Sequence, residues 1–174
     1  MRLTEENRRV LNSFLVRAGF TAIAENRGVL NSFLVRAGFT AIAENFRADV
    51  NQTNTYGLTP LYIAAQEGQL HVAQLLLDRG ADVNKARTDG ATPLYIAAQM
   101  GELDVVQLLL DRGAEVNLAR TTDGVTPLWI AAHYGELDVA QLLLEGGAEV
   151  NQTNTYGVTP LWIAALNGQL AVAQ

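Results

Sequence analysis

Apolar residues fall into two alternating patterns after about residue 59, and both patterns recur along the chain. Residues 61–66 form a short, mostly apolar segment with the small pair Ala64-Ala65, whereas residues 70–77 place leucine and valine on one helical face. A glycine follows soon after each segment, at Gly68 and Gly80, and a left-handed glycine commonly ends a helix. The pattern therefore predicts pairs of short helices that bury their apolar faces only by stacking on neighbouring pairs.

The same tripeptide begins each predicted pair. Thr-Pro-Leu recurs at Thr59, Thr92, Thr126 and Thr159, with spacings of 33, 34 and 33 residues, and an aromatic residue and Ile-Ala-Ala follow each time. The threonine can cap a helix by accepting backbone N–H bonds, and proline at the first helical position lacks only an N–H that would have no helical partner. Three units then reach Gly-Ala-acid-Val-Asn, as in residues 80–84.

This period and this motif resemble the ankyrin repeat family across residues 47–174. The resemblance implies an all-α repeat solenoid, a stack of helix-turn-helix units whose connections project as β-hairpin or loop fingers. In place of the family's histidine after Thr-Pro-Leu, this chain has an aromatic residue at Tyr62, Tyr95, Trp129 and Trp162. The hydrogen bond of that histidine is therefore either lost or remade by a phenol or an indole.

Two further departures concern loop length and the end of the array. The loop at 117–124 holds one residue more than its counterparts, which fits a longer finger tip, where an insertion costs little. The last unit stops at Gln174, before the leucines that complete the other units. We expect an array without a polar cap at this end, so that either further chain covers it or copies associate through it.

Residues 1–46 do not follow the repeat pattern and are predicted to form an N-terminal helical cap. They contain a tandem duplication, residues 7–25 and 26–44, in which 17 residues beginning at Val10 recur unchanged from Val29. The second copy is interpreted as the cap of the stack. The first copy is either an extra helical layer or a competitor for the same surface, and competition would allow a domain-swapped dimer.

The charge is distributed unevenly along the chain. The net charge of −6 combines a balance of +3 in residues 1–47 with −9 in the remainder. The array should therefore oppose nucleic acid and anionic membrane and favour neutral or basic partner surfaces, unless the charges only solvate exposed helix faces. No apolar run reaches the length of a membrane span, and the N-terminus lacks the pattern of a secretory signal. With no cysteine in the chain, these features predict a cytoplasmic protein.

Candidate chemistry is sparse. His71 and His133 lie 62 residues apart without metal-ligand spacing, and the only serines, Ser13 and Ser32, lie in the duplicated segment. The recurring acidic pairs, such as Glu102 with Asp104, fit the start of a second helix, where negative charge favours the helix dipole. The glycines follow the repeat period and do not form a phosphate loop. We predict no catalysis, no cofactor and no metal.

The resemblance implies a concave binding surface made of the finger tips and the exposed ends of the first helices. Residues vary there between units while the framework stays constant, and several are large. The candidate partner-binding residues are Tyr56, Leu58, Asp89, Asp123, Val125, Tyr156 and Val158 in the fingers, and Gln66, Glu67, Gln99, Met100, His133, Tyr134, Leu166 and Asn167 at the helix ends.

These observations favour a non-catalytic protein-interaction module that binds a protein of unknown identity. Two other interpretations stay open. One is an engineered or duplicated structural scaffold without a natural ligand, which the unchanged duplication favours. The other is a targeting fragment of a larger effector or enzyme, which the incomplete last unit favours.

Overall fold

A computed structural model describes residues 49–173, which form eight short helices with no strand among them. The helices alternate between a row of first helices and a row of second helices. The first helices are α1 (Pro60–Gln66), α3 (Pro93–Met100), α5 (Pro127–Tyr134) and α7 (Pro160–Leu166). The second helices are α2 (Leu70–Asp78), α4 (Leu103–Asp111), α6 (Leu137–Glu145) and α8 (Leu170–Ala173). Repeats 1 to 4 each contain one helix of each row, and this part of the chain confirms the predicted all-helical repeat stack.

Each first helix begins at the threonine of Thr-Pro-Leu, as predicted. The Thr59 hydroxyl accepts a hydrogen bond from the backbone N–H of Tyr62 at 3.0 Å, and the equivalent bonds in the other three repeats measure 3.1 to 3.2 Å. Such caps stabilise a helix by about 1 kcal/mol each. Glycine lies near the other end of the helix, where Gly68 has φ +63° and Gly101 has φ +73°.

The second helices end in a turn that also needs glycine. Gly80 has φ +83°, and the backbone N–H of Ala81 reaches back to the carbonyl of Leu76 at 3.0 Å, which closes the helix in a left-handed cap. Acidic residues lie in the first turns of α4 and α6, at Asp104 and Asp138, as the sequence predicts. Their charge opposes the positive end of the helix dipole.

Packing between repeats is closest in the row of first helices. The first alanine of each Ile-Ala-Ala motif (Ala64, Ala97, Ala131 and Ala164) has no exposed surface, which lets neighbouring helices approach closely. The core is continuous through the leucine that follows proline, which is 1% exposed at Leu94 and 4% at Leu128. At the last repeat the equivalent Leu161 is 59% exposed, so burial falls sharply at α7.

The fingers are tight loops rather than paired strands. They comprise residues 51–58, 84–91, 117–125 and 151–158, here called fingers 1 to 4. A single backbone bond closes each loop across its base, such as Asn54 N–H to the Leu58 carbonyl at 3.1 Å or Arg120 N–H to the Val125 carbonyl at 2.9 Å. The extra residue of finger 3 is accommodated at its tip, where the Gly124 N–H bonds the Arg120 carbonyl four residues back instead of three.

A ladder of asparagines joins successive repeats beside the fingers. The Asn51 side-chain oxygen accepts from the Asp82 N–H at 2.8 Å, and Asn84 accepts from Glu115 at 2.9 Å. Asn117 likewise accepts from Glu149 at 2.9 Å. The Asn of the repeat motif therefore contributes an inter-repeat bond.

Two sequence predictions concern other parts of the chain. The predicted N-terminal cap, with its duplicated segments 7–25 and 26–44, lies outside the described residues. Between residues 49 and 173, no helix combines the length and the apolar character that crossing a bilayer requires.

Candidate interaction surface

The fingers lie side by side and are bonded to one another. Thr121 of finger 3 donates from its backbone N–H (2.9 Å) and from its hydroxyl (2.8 Å) to the carbonyl of Asp89 in finger 2. Thr155 repeats the backbone bond to the Asp123 carbonyl at 2.9 Å. A Cβ added to Gly90, whose φ is +88°, would stand 2.4 Å from the Thr121 nitrogen. The finger edge is therefore a linked surface whose close contact depends on glycine.

Fingers 2 and 3 are held by an arginine that contacts the preceding repeat. The Arg87 guanidinium pairs with Asp89 through Nε at 2.9 Å and lies 5.9 Å from the centre of the Tyr62 ring. The Arg120 guanidinium pairs with Asp123 through Nε at 3.0 Å and lies 5.1 Å from the Tyr95 ring. A cation over an aromatic face is stabilising. This contact replaces the family's histidine at these two junctions.

These contacts shift the pKa values of the groups involved. Hydrogen bonding from Arg87 lowers the pKa of Asp89, and Arg120 lowers the pKa of Asp123 in the same way. Burial raises the pKa of Tyr95 to about 12. Asp89 and Asp123 were predicted to meet a partner, but their side chains are only 19% and 24% exposed. Their charge mainly serves the finger.

The junction between repeats 3 and 4 is built differently. The indole Nε1 of Trp129 donates to the Val158 carbonyl at 3.1 Å, so the expected hydrogen bond is remade there. Finger 4 has Asn154 where fingers 2 and 3 have arginine, and its side-chain oxygen accepts from the N–H groups of Tyr156 and Val158 at 3.0 Å. The nature of the aromatic ring and the residue in the next finger therefore change together.

Large side chains emerge at the ends of the first helices. We call the eight predicted positions there the helix-end row. Met100 is 50% exposed, Tyr134 49% and Leu166 63%, whereas the alanines one turn earlier are buried. Glu67 and Asn167 are also exposed, and Gln66, Gln99 and His133 are half-buried.

Hydrogen bonds cross this row from one repeat to the next. The Gln99 amide donates to the Tyr134 hydroxyl at 3.3 Å. The Asn167 amide lies 3.0 Å from both the carbonyl oxygen and the ring Nδ1 of His133. Because an amide N–H can only donate, Nδ1 of His133 accepts in this arrangement. The row is therefore ordered before a partner arrives.

An aromatic cluster occupies the centre of the row. The rings of Trp129 and His133 are stacked with centroids 5.5 Å apart, and Tyr134 meets His133 edge-on at 4.8 Å. Trp129 was assigned to the framework from the sequence, and its half-exposed ring was missed as part of this surface. Its spacing from His133, four residues along a helix, could have identified the contact.

The prediction for Val125 is wrong. Val125 is 3% exposed and belongs to the core, as does the equivalent Ala91 at 1%. The chain turns inward here to begin the next first helix, so the residue before Thr-Pro faces the neighbouring repeat. Leu58 and Val158, at the same position in the outer fingers, are half-buried against apolar clusters and expose only part of their side chains.

The finger tips place the remaining candidates at the solvent side. Tyr56 is 72% exposed and Tyr156 82%, and each follows an asparagine-stabilised turn. His71 is exposed on α2. Within residues 49–173, no three His, Asp or Glu side chains stand close enough to hold a metal ion.

The comparisons with known proteins agree with this architecture. A family model described as ankyrin repeats (3 copies) matches residues 21–120 and 117–174, and the first match begins inside the segment predicted as the cap. No individual curated protein matches the chain. With most of its length matched by the family model and with a capped, stacked helix pair in each described repeat, the chain belongs to the ankyrin repeat family.

Proposed function

We propose that this chain binds a protein along the concave surface formed by the finger edge and the helix-end row. Ankyrin repeats generally act as protein-protein interaction modules. The observation that carries the proposal for this surface is the exposure of Met100, Tyr134 and Leu166 at successive repeats, beside a buried framework. Their side chains do not contribute to the core, so a partner is the natural group to cover them.

The aromatic cluster supports an anchor near the middle of the surface. Interfaces take most of their binding energy from a few buried side chains, among which tryptophan and tyrosine are common. Trp129 and His133 already stack, and Gln99 is bonded to Tyr134, so ordering these groups on binding costs less entropy. A partner that inserts an apolar or aromatic side chain between Met100 and Tyr134 fits this arrangement.

Charge narrows the class of partner. The helix-end row holds one acidic residue, Glu67, whereas residues 48–174 carry a balance of −9. A neutral strip on an acidic body favours a partner with a neutral contact segment and basic flanks. The same field opposes the phosphates of nucleic acid and of anionic membranes.

The remaining parts of the proposal are a non-catalytic role, no cofactor and a cytoplasmic location. Ankyrin repeats are typically non-catalytic, which supports the first of these. A scaffold without a natural ligand and a targeting fragment of a larger effector or enzyme are the alternatives. The unchanged N-terminal duplication favours the scaffold, and it predicts that no peptide or protein selects the concave surface.

The test is a selection of random peptides displayed on phage against the 174-residue chain. Selected peptides are measured against wild type, Met100→Ala with Tyr134→Ala, and the control Leu144→Ala, which removes a residue 44% exposed on α6 in the other row. The double variant should lose at least about tenfold in affinity, as expected for interface anchors. Equal affinity for wild type and the double variant, with unchanged circular dichroism, would place the binding site elsewhere.

A further inference from the structure

The last described repeat presents an open face where the other repeats are covered. On α7 and α8, Trp162 is 53% exposed, Leu166 63% and Leu170 70%. A Cβ added to Gly157 or to Gly168 would meet nothing within 4 Å. This face is a continuation of the surface that each earlier repeat buries against its successor.

Repeat 3 shows which contacts that surface makes when it is covered. Trp129 donates to the Val158 carbonyl, and a Cβ on Gly124 would stand 3.2 Å from the Thr155 nitrogen. A Cβ on Gly135 would stand 2.2 Å from the side-chain oxygen of Gln169. Repeat 4 therefore covers repeat 3 at three points: the end of finger 4, its tip and the residue before α8.

Repeat 1 carries the same three points. Finger 1 has the sequence Asn-Gln-Thr-Asn-Thr-Tyr-Gly at residues 51–57, identical to residues 151–157 of finger 4. Its shape is also the same, because the Asn54 side-chain oxygen accepts from Tyr56 and Leu58 at 2.9 and 3.0 Å. Gln69 stands where repeat 4 has Gln169, whereas repeats 2 and 3 have the glutamates Glu102 and Glu136.

The complementary positions are accessible on the described part of repeat 1. Thr55 and Gln69 are exposed, and Asn54 is half-buried. Fingers 2 and 3 would be poorer matches for a tryptophan-bearing face, because each offers an arginine-aspartate pair that meets a tyrosine in this chain. The pairing of tryptophan with the asparagine finger thus distinguishes repeat 1 as the fitting occupant.

We infer that two copies of this chain associate head to tail, with repeat 1 of one copy covering the open face of repeat 4 of the other. The indole of Trp162 donates to the Leu58 carbonyl of the second copy. Thr55 and Gln69 of that copy lie over Gly157 and Gly168. Because the two surfaces differ, the contact is heterologous and does not close, so association continues into longer assemblies as concentration rises.

Sedimentation equilibrium of the full 174-residue chain over a range of concentrations tests this. Wild type should show a mass that rises past that of a dimer of the 18.8 kDa chain. Trp162→Ala should weaken the association at least about tenfold, as expected for a central interface tryptophan. Tyr134→Ala removes an aromatic side chain of similar exposure from repeat 3 and should associate like wild type.

A complementation experiment distinguishes head-to-tail from other arrangements. Asn54→Ala damages only the repeat 1 surface and Trp162→Ala only the repeat 4 surface. Each variant alone should be monomeric, and an equimolar mixture should form one-to-one pairs and nothing larger. If Asn54→Ala unfolds finger 1, Gln69→Arg, which places a long charged side chain against Gly168, serves as the second variant on that surface.

Three outcomes would overturn the inference. Wild type could remain monomeric at every concentration. Asn54→Ala and Gln69→Arg could both dimerise as well as wild type, which would indicate a tail-to-tail contact between two Trp162 faces. Association could also survive Trp162→Ala unchanged, which would assign it to another part of the chain, such as the N-terminal duplication.

Discussion

Trp129 and Val158 are joined by a hydrogen bond of 3.1 Å from the indole Nε1 to the backbone carbonyl, across the boundary between repeats 3 and 4. The bond lies next to the aromatic cluster, since the same indole stacks on His133. One side chain therefore ties the last described repeat to the array and shapes the proposed binding surface. Stability and recognition meet at this residue.

Replacing Trp129 should weaken the boundary between repeats. Trp129→Phe keeps a ring but leaves the Val158 carbonyl without its donor, so the free energy of unfolding should fall by about 1 kcal/mol. Urea unfolding followed by circular dichroism measures this. Trp162→Phe is the matched control, because Trp162 is 53% exposed, and it should change stability by less than about 0.5 kcal/mol at monomeric concentrations. Equal losses in the two variants would contradict the role of the bond.

Two glycine substitutions separate backbone strain from the contact between fingers. Gly80→Ala introduces a methyl group at φ +83° with nothing within 4 Å, so it should destabilise the fold by about 1 to 2 kcal/mol through strain alone. Gly90→Ala has a similar φ, but its methyl group would meet the Thr121 nitrogen at 2.4 Å. Overpacking against a backbone atom should add about 1 to 3 kcal/mol. Chemical unfolding of both variants checks this, and an equal effect would mean that the fingers separate easily.

Acid should destabilise the array through the two finger carboxylates. The pKa values of Asp89 and Asp123 in the folded state lie below the ordinary value of 3.8. Their contribution is therefore present above that value and is lost as pH falls through the folded-state pKa values. In Asp89→Asn with Asp123→Asn, stability should be lower at neutral pH and should decline less below pH 4. Urea unfolding across pH measures the slopes, and Asp104→Asn, an exposed site on α4, controls for the loss of negative charge. A double variant as acid-sensitive as wild type would exclude these carboxylates as the cause.

Alkaline pH should act through Tyr95. Its pKa is raised from 10.0 to about 12, so an unfolded chain loses the phenol proton before the folded chain does. Its stabilising contribution is present below pH 10 and is lost as pH rises towards 12. Tyr95→Phe removes the ionising group, so its stability should decline less than that of wild type over this interval. Thermal unfolding at increasing pH measures the difference, and parallel declines would assign the alkaline sensitivity to other groups.

Much of the fold follows from local rules that the sequence expresses directly. Thr59 caps its helix and Gly80 closes the next one because these residue types have few alternatives at such positions. The period then dictates the stacking, because each repeat meets its neighbour in the same way. The predicted insertion in finger 3 is confirmed for the same reason, since only the loop tip can absorb an extra residue.

The surface was harder to predict because it depends on contacts between repeats. Nothing near Val125 in sequence distinguishes it from an exposed loop residue, and its burial arises from the packing of the adjacent repeat. The arginine above Tyr95 lies 25 residues further along the chain, and periodicity alone does not indicate that the two meet. The accessible members of the helix-end row remain predicted partner residues, and the experiments above test them.

The longer tip of finger 3 has a consequence for how such an array can change. Its extra residue is confined between Arg120 and Val125, whose backbone bond at 2.9 Å closes the base of the loop as in the shorter fingers. The helices on either side keep their caps and their packing. Length and composition at the tips can therefore vary without altering the interior, so new specificities can arise on an unchanged scaffold.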